Sequence, residues 1–183
     1  MFLLKKSEIG FAIIAVYVDD LNFIGTLEKL SKTASYLKNE FEMKDLEKIK
    51  FCLGLQIEYL PIGILLHQSK YTRKVLKHFY MDEAHPLSTP MVVRSLDVEK
   101  NPFCPKEDGQ AILGPKVQYL SAIGALMYLA NCTRPYIAFS VNLLARYSFA
   151  PTRRHWNGVK HIFCYLRGTI DMGLFYPNGS KSP

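Results

Sequence analysis

The strongest constraint on this chain is a run of eight apolar residues that ends on two aspartates. Residues 11–18 read FAIIAVYV, and Asp19 and Asp20 follow at once. The run is short and rich in β-branched residues, as expected of a strand buried on both faces. A second apolar run, 21–24, leads to Gly25. Apolar run, polar pair, apolar run predicts a β-hairpin with the aspartates at its tip. The pair lacks a glycine, so the turn type stays open.

Beyond Gly25 the period changes. Thr26 can cap a helix over 27–41, where Leu27, Leu30, Ala34, Leu37 and Phe41 share one face. Residues 51–59 alternate, with Phe51, Leu53, Leu55, Ile57 and Tyr59 on one side of a strand. Pro61, Ile62 and Gly63 make a turn, and 64–67 returns as the partner strand of a second hairpin. Ser69 then opens a short basic helix to about Phe79, with Tyr71, Val75 and Phe79 inward. Pro86, Pro90, Pro102, Pro105 and Pro115 mark 85–115 as a linker or long surface loop. Residues 117–130 read as a helix with Leu120, Ile123, Met127 and Ala130 in one stripe. Pro135 suits the first turn of a second helix, to about Tyr147. Pro151 and Thr152 start a third, with Trp156, Val159, Phe163 and Leu166 inward and Gly168 just past its end. Residues 170–176 are compatible with one more strand, and 177–183 form a polar tail.

The totals allow such a fold. Hydrophobic residues make up 49% of the 183, enough to build a core. No apolar run approaches the ~20 residues of a membrane span. The first six residues lack the order of a signal peptide, so an intracellular location is expected. Cys52, Cys104, Cys132 and Cys164 follow no zinc spacing and are expected to be buried reduced thiols. The net charge of +7, from 23 basic and 16 acidic residues, suits a polyanionic partner without requiring one. No Walker or dinucleotide loop is present. His67, His78, His85, His155 and His161 lack ligand spacing and are assigned to surface or structure.

Adjacent carboxylates at a hairpin tip repel one another, by about 4 kcal/mol at ~4 Å and an effective dielectric near 20. Such a pair persists when it is solvated, shares a proton or holds a cation. Mg²⁺ prefers hard carboxylate oxygens, and nucleotidyl transfer commonly uses two ions about 3.5–4 Å apart. On the dipeptide alone a solvated turn is the stronger reading.

The surrounding strings change that balance. A strand ending in YVDD with a short strand after it resembles the palm hairpin of reverse transcriptases. FCLGLQIEYLPIGILLHQSKYTRKVL, LSTPM, YLSAIGALMYLANCTRPYIAFSVNLLARY and PTRRHWNGVKHIFCYLRGT then follow in order. They resemble segments of copia-type retrotransposon reverse transcriptases across about residues 12–176. The resemblance implies an α+β fold. Residues 1–84 would be a partial palm of antiparallel hairpins and packed helices. Residues 85–115 would be the linker, and 116–168 a small helical thumb-like and connection-like bundle. Residues 169–183 would lead toward a ribonuclease H domain. It also implies an RNA-directed DNA polymerase using Mg²⁺ or Mn²⁺ on an RNA or DNA template-primer. Asp19 would be a catalytic metal ligand and Asp20 its partner. Tyr17 and Val18 would lie near the primer end and the incoming nucleotide. The 51–67 hairpin, with Leu53 and Gly54, would be the primer grip.

Departures from the family matter equally. Family polymerases carry another catalytic aspartate on an earlier palm strand, yet no Asp occurs before Phe11. The fingers are absent as well. The metal site of Asp19 and Asp20 is therefore incomplete, and the isolated chain is expected to be inactive. Tyr136 stands where the family usually writes aspartate after TRP. One alternative is a palm half completed by a partner chain that supplies fingers. Another is a nucleic-acid-binding module without catalysis, carried by Arg146, Arg153, Arg154, Lys160 and Arg167 with His161, Tyr147, Trp156 and Tyr165 among them. An ordinary solvated helix over an aromatic core is the stronger reading for Trp156 and Tyr165, and an even one for Arg153 and Arg154. A palm sheet without its other strands would expose the edges of 11–18 and 21–24, which predicts poor solubility or low stability.

Overall fold

The computed structural model describes residues 2–7, 10–18, 20–44, 48–91, 103, 109–114 and 118–179. Asp19, Cys104 and most of the 85–115 stretch lie outside the described residues. The chain forms two compact units, Met1–Ile49 and Lys50–Pro183.

The first unit contains strands β1 (Phe2–Ser7), β2 (Gly10–Tyr17) and β3 (Asp20–Gly25) and helix α1 (Leu27–Glu40). The sheet is antiparallel in the order β1-β2-β3. Two expectations change. β2 is central rather than an exposed edge, because Phe2–Ser7, too short to read as a strand, covers one side of it. Nor is β2 buried on both faces, since Ala12 is its one buried residue. One helix can cover only one face of a sheet, and α1 packs against β2 and β3. The predicted helix forms, but none of its residues is buried, and Leu27 is 87% exposed. An i,i+4 pair of Glu28 and Lys32 at 2.8 Å supports it locally.

The second unit contains β4 (Phe51–Cys52), β5 (Leu55–Leu60), β6 (Gly63–His67), α2 (Ser69–His78), α3 (Tyr119–Cys132), α4 (Ala138–Ala145), α5 (Arg153–Gly168) and β7 (Gly173–Pro177). A 3₁₀ turn over Pro135–Ile137 leads into α4. The sheet order is β4-β5-β6-β7, all antiparallel. Residues 51–59 are thus two strands rather than one. The chain reverses at Leu53-Gly54, where both residues have positive φ. That is the geometry of a two-residue hairpin turn, hidden in sequence because leucine stands at its first position. β7 pairs with β6, Gly63 opposite Pro177 and His67 opposite Gly173. This pairing ties the 51–67 hairpin to the helices, so the boundary between units falls at 49/50 instead of near 84.

The core lies in this unit. Leu126, Leu129, Ile137, Val141, Ile162 and Phe163 are fully buried. The stripe expected on α3 is rotated. Ala122, Ile123, Leu126 and Leu129 face inward, whereas Leu120 is 67% and Met127 38% exposed. α3 is apolar nearly all round, so its periodicity does not single out a face. On α5 the expected Val159, Phe163 and Leu166 are buried, and Trp156 is partly so. Gly168 ends α5 from within. Cys52, Cys132 and Cys164, expected to be buried, are only partly so.

Thr152 and His155 form a capping box at the start of α5. The Thr152 backbone N–H donates to His155 Nδ1 at 3.0 Å, and the Thr152 hydroxyl accepts from the backbone N–H of His155. The imidazole stacks on Tyr147, with centroids 4.1 Å apart. Histidine replaces the usual Glu or Gln here. Thr152→Ala is expected to cost about 1 kcal/mol, read as a lower urea midpoint. An unchanged midpoint would deny the cap its role.

Candidate functional site

The β2–β3 hairpin has Val16 opposite Leu21 and Tyr17 opposite Asp20. Val18 is the described residue of its turn, whereas the aspartate pair was expected at the tip. Asp20 already belongs to β3, because pairing with Tyr17 draws it into the ladder. Cross-strand partners point to the same face, so Tyr17 and Asp20 share one side of the sheet. Both are exposed, Tyr17 by 55%. Val18 is 78% exposed and has φ 50. That conformation is uncommon for a β-branched residue and marks backbone strain at the tip. Asp20 offers a solvent-facing hard oxygen donor. Among the described residues no group of three or more His, Cys, Asp or Glu is placed to hold a metal.

The second predicted contact point, Leu53 and Gly54, forms the β4–β5 turn in the other unit. Both residues are exposed. The Leu53 carbonyl accepts a hydrogen bond from the Tyr128 hydroxyl at 2.5 Å, which anchors the turn to α3. Leu53 has φ 49, a conformation that costs an L-residue roughly 1–2 kcal/mol. Asparagine tolerates it better, and Asn-Gly is the favoured pair for this turn. Leu53→Asn is therefore expected to raise stability by about 1 kcal/mol, seen as a higher melting temperature. A lower one would mean that the leucine side chain contributes more than the strain removes.

The basic candidates are spread over α5 and its approach. Arg153, Lys160 and Arg167 recur every seven residues and lie along one stripe of α5. Arg146 and Arg153 are exposed, and Arg154 and Lys160 are half-buried. Arg154 Nη2 is 3.4 Å from Gln110 Oε1. Arg167 Nε donates to the Asp82 carbonyl at 2.6 Å, and His161 Nε2 lies 3.0 Å from the Thr89 carbonyl. Two of these side chains thus also hold the 82–89 segment against the helix. Trp156 packs near Phe79 and Tyr119, and Tyr165 against Tyr136. Burial pushes the Tyr165 phenol up from its ordinary value.

A buried polar hub was missed by sequence reading. Gln68 and Thr133, both fully buried, are joined by a 2.8 Å bond from the Thr133 hydroxyl to Gln68 Oε1. Next to Thr133, fully buried Arg134 donates to the Tyr136 hydroxyl at 2.9 Å and to the Thr169 and Ile170 carbonyls at 2.5 and 2.6 Å. Ser69 Oγ also reaches the Ile170 carbonyl, at 3.1 Å. Its other neighbour is His67 Nδ1 at 2.6 Å, and His67 Nε2 meets Glu58 at 3.0 Å. Carboxylate, imidazole and hydroxyl in a row resemble a hydrolytic triad. Here the hydroxyl is buried and bonded to a carbonyl, so the row pins β5, β6 and α2 together. The HQSKY and TRP strings supplied the signal, but only the fold shows that they meet.

Known proteins resemble the chain over most of its length. The family described as reverse transcriptase (RNA-dependent DNA polymerase) matches residues 1–93. The retrovirus-related Pol polyprotein from transposon TNT 1-94 of Nicotiana tabacum is 39% identical over 168 residues, 90% of this chain and 12% of that protein. The Pol polyprotein from transposon RE2 of Arabidopsis thaliana is 33% identical over 181 residues, 98% of this chain and again 12% of the relative. An uncharacterized mitochondrial protein of Arabidopsis thaliana is 32% identical over 170 residues and is covered to 65%. The chain therefore spans about an eighth of the two polyproteins' length. No solved structure matches it.

Proposed function

Since this chain belongs to the reverse transcriptase (RNA-dependent DNA polymerase) family, we propose that it forms part of the palm and thumb of a copia-type retrotransposon polymerase. Enzymes of this family generally use divalent metal ions and act on nucleic acid. In this reading Asp19 and Asp20 supply carboxylates for Mg²⁺ or Mn²⁺, which would steady the attacking and leaving oxygens of nucleotidyl transfer. Tyr17 and Val18 face the primer end, and the Leu53-Gly54 turn grips the primer. Arg146, Arg153, Arg154, Lys160 and Arg167 face the template-primer. The supporting observation is the β2–β3 hairpin, which holds Tyr17, Val18 and Asp20 at an exposed end with positive φ at Val18.

Two adjacent carboxylates are short of a two-metal ligand set. A further carboxylate, and a surface closing over the nucleotide, must come from another segment or a partner chain. Positioning and charge neutralisation supply most of the rate in this chemistry. The 183-residue polypeptide alone is therefore expected to extend a primer no better than its Asp19→Ala/Asp20→Ala variant. Extension above that control would show that this chain holds a complete site. No binding to a primed template at low salt would reject the polymerase reading itself.

A further inference from the structure

The sequence holds two Asn-Gly pairs, Asn157-Gly158 and Asn178-Gly179. Asparagine before glycine readily loses its side-chain amide, because glycine has no Cβ to keep the reacting groups apart. The glycine backbone nitrogen attacks the asparagine Cγ. A new C–N bond forms, the Cγ–Nδ2 bond breaks, and Nδ2 leaves as ammonia with the proton given up by the glycine nitrogen. Water then opens the cyclic imide at either carbonyl, which leaves aspartate or isoaspartate.

The fold treats the two pairs differently. Gly158 is buried inside α5, where an added Cβ would come within 2.7 Å of the Phe103 ring and 3.0 Å of Leu144. Its N–H belongs to the i→i−4 ladder of the helix, so the attacking nitrogen and its proton are both held. Helical side chains also lean toward the N-terminus, which carries the Asn157 Cγ away from that nitrogen. Asn178 and Gly179 are instead exposed, just past β7. Gly179 has φ 65, and an added Cβ would meet nothing within 4 Å. Asn178 is tethered to the β5–β6 turn. Its backbone N–H donates to the Ile62 carbonyl at 2.9 Å, and its Nδ2 to the Pro61 carbonyl at 3.2 Å. Exposed bonds at a strand end open far more often than those of a core helix.

We propose that Asn178 is a site of spontaneous deamidation, and that the change unfastens the end of β7 from the β5–β6 turn. The product carries a carboxylate, which accepts hydrogen bonds but cannot donate one to the Pro61 carbonyl. Isoaspartate also lengthens the main chain beside the last β6–β7 pair, Gly63 and Pro177. The test incubates the whole 183-residue chain at mildly alkaline pH, where the attacking nitrogen loses its proton more readily. Trypsin then releases residues 155–160 and 168–181 as separate peptides, and mass spectrometry reads the conversion of amide to acid in each. In buffer, residue 178 is expected to convert at least about tenfold faster than residue 157. In urea, with the fold removed, the two rates are expected to converge. Equal rates in buffer, or a faster reaction at 157, would overturn the proposal. So would a residue 178 that reacts in urea but not in buffer. Once 178 has converted, hydrogen exchange of the β7 amides is expected to rise while that of α3 stays constant. An unchanged β7 would overturn the unfastening. Asn178→Gln keeps the amide but must close a larger ring, and is expected to hold both mass and exchange constant over the same incubation. An equal rise in exchange in this variant would show that deamidation is not its cause.

Discussion

Arg134→Met is expected to lower the stability of the Lys50–Pro183 unit by about 3–5 kcal/mol. Arg134 is fully buried, and among the described residues it has no carboxylate partner. Its guanidinium instead meets the Tyr136 hydroxyl and the Thr169 and Ile170 carbonyls. The two carbonyls lie just past the end of α5, where the helix dipole is negative, so the cation is well placed. Methionine fills similar space but donates nothing. The Thr169 and Ile170 carbonyls would each lose a charged donor and keep only the Met172 N–H and the Ser69 hydroxyl, at roughly 1.5–3 kcal/mol each. Against a typical total of about 5–15 kcal/mol the loss is large. Urea denaturation measures it, and a change under about 1 kcal/mol would mean that water replaces the guanidinium at little cost. The Tyr136 hydroxyl offers this cation a neutral partner.

Asp20→Asn is expected to reduce primer extension by roughly 10²–10³-fold in the longer polymerase of which we propose this chain is part. The substitution keeps the size and the Tyr17–Asp20 pairing but removes the negative charge that attracts a divalent ion. Asp20 is exposed at the first position of β3, so folding stability is expected to change by no more than about 0.5 kcal/mol. The loss should thus appear in single-turnover rate at saturating primer, with duplex affinity nearly unchanged. Activity within about tenfold of the parent would remove Asp20 from the metal site. A parallel drop in affinity and melting temperature would assign it a structural role instead.

Much of the architecture was legible in the sequence, for identifiable reasons. The helices over Leu27–Glu40, Ser69–His78 and Arg153–Gly168 were readable because their charged and apolar residues separate cleanly. α3 was readable as a helix but not by face, since apolar residues surround it. The Leu53-Gly54 turn was not, because its two positive φ values fall on a pair that lacks the asparagine of that turn. The pairing of β6 with β7 joins residues more than a hundred positions apart, which no local pattern encodes. At the candidate site the YVDD string gave the hairpin, while the register drew Asp20 out of the tip and into β3. The Arg134 hub was invisible for a different reason. Isolated buried polar residues follow no period, and they become a group only when their elements meet.

The β6–β7 pairing also bears on how this polypeptide is made. During synthesis the 51–67 hairpin leaves the ribosome with an unpaired edge. Its last partner, Gly173–Pro177, follows about 110 residues later, or roughly 5–20 s at ordinary elongation rates. Throughout that interval the half-built sheet is a template for other extended chains. For this protein, exposure to mispairing is set by the order in which its strands are translated.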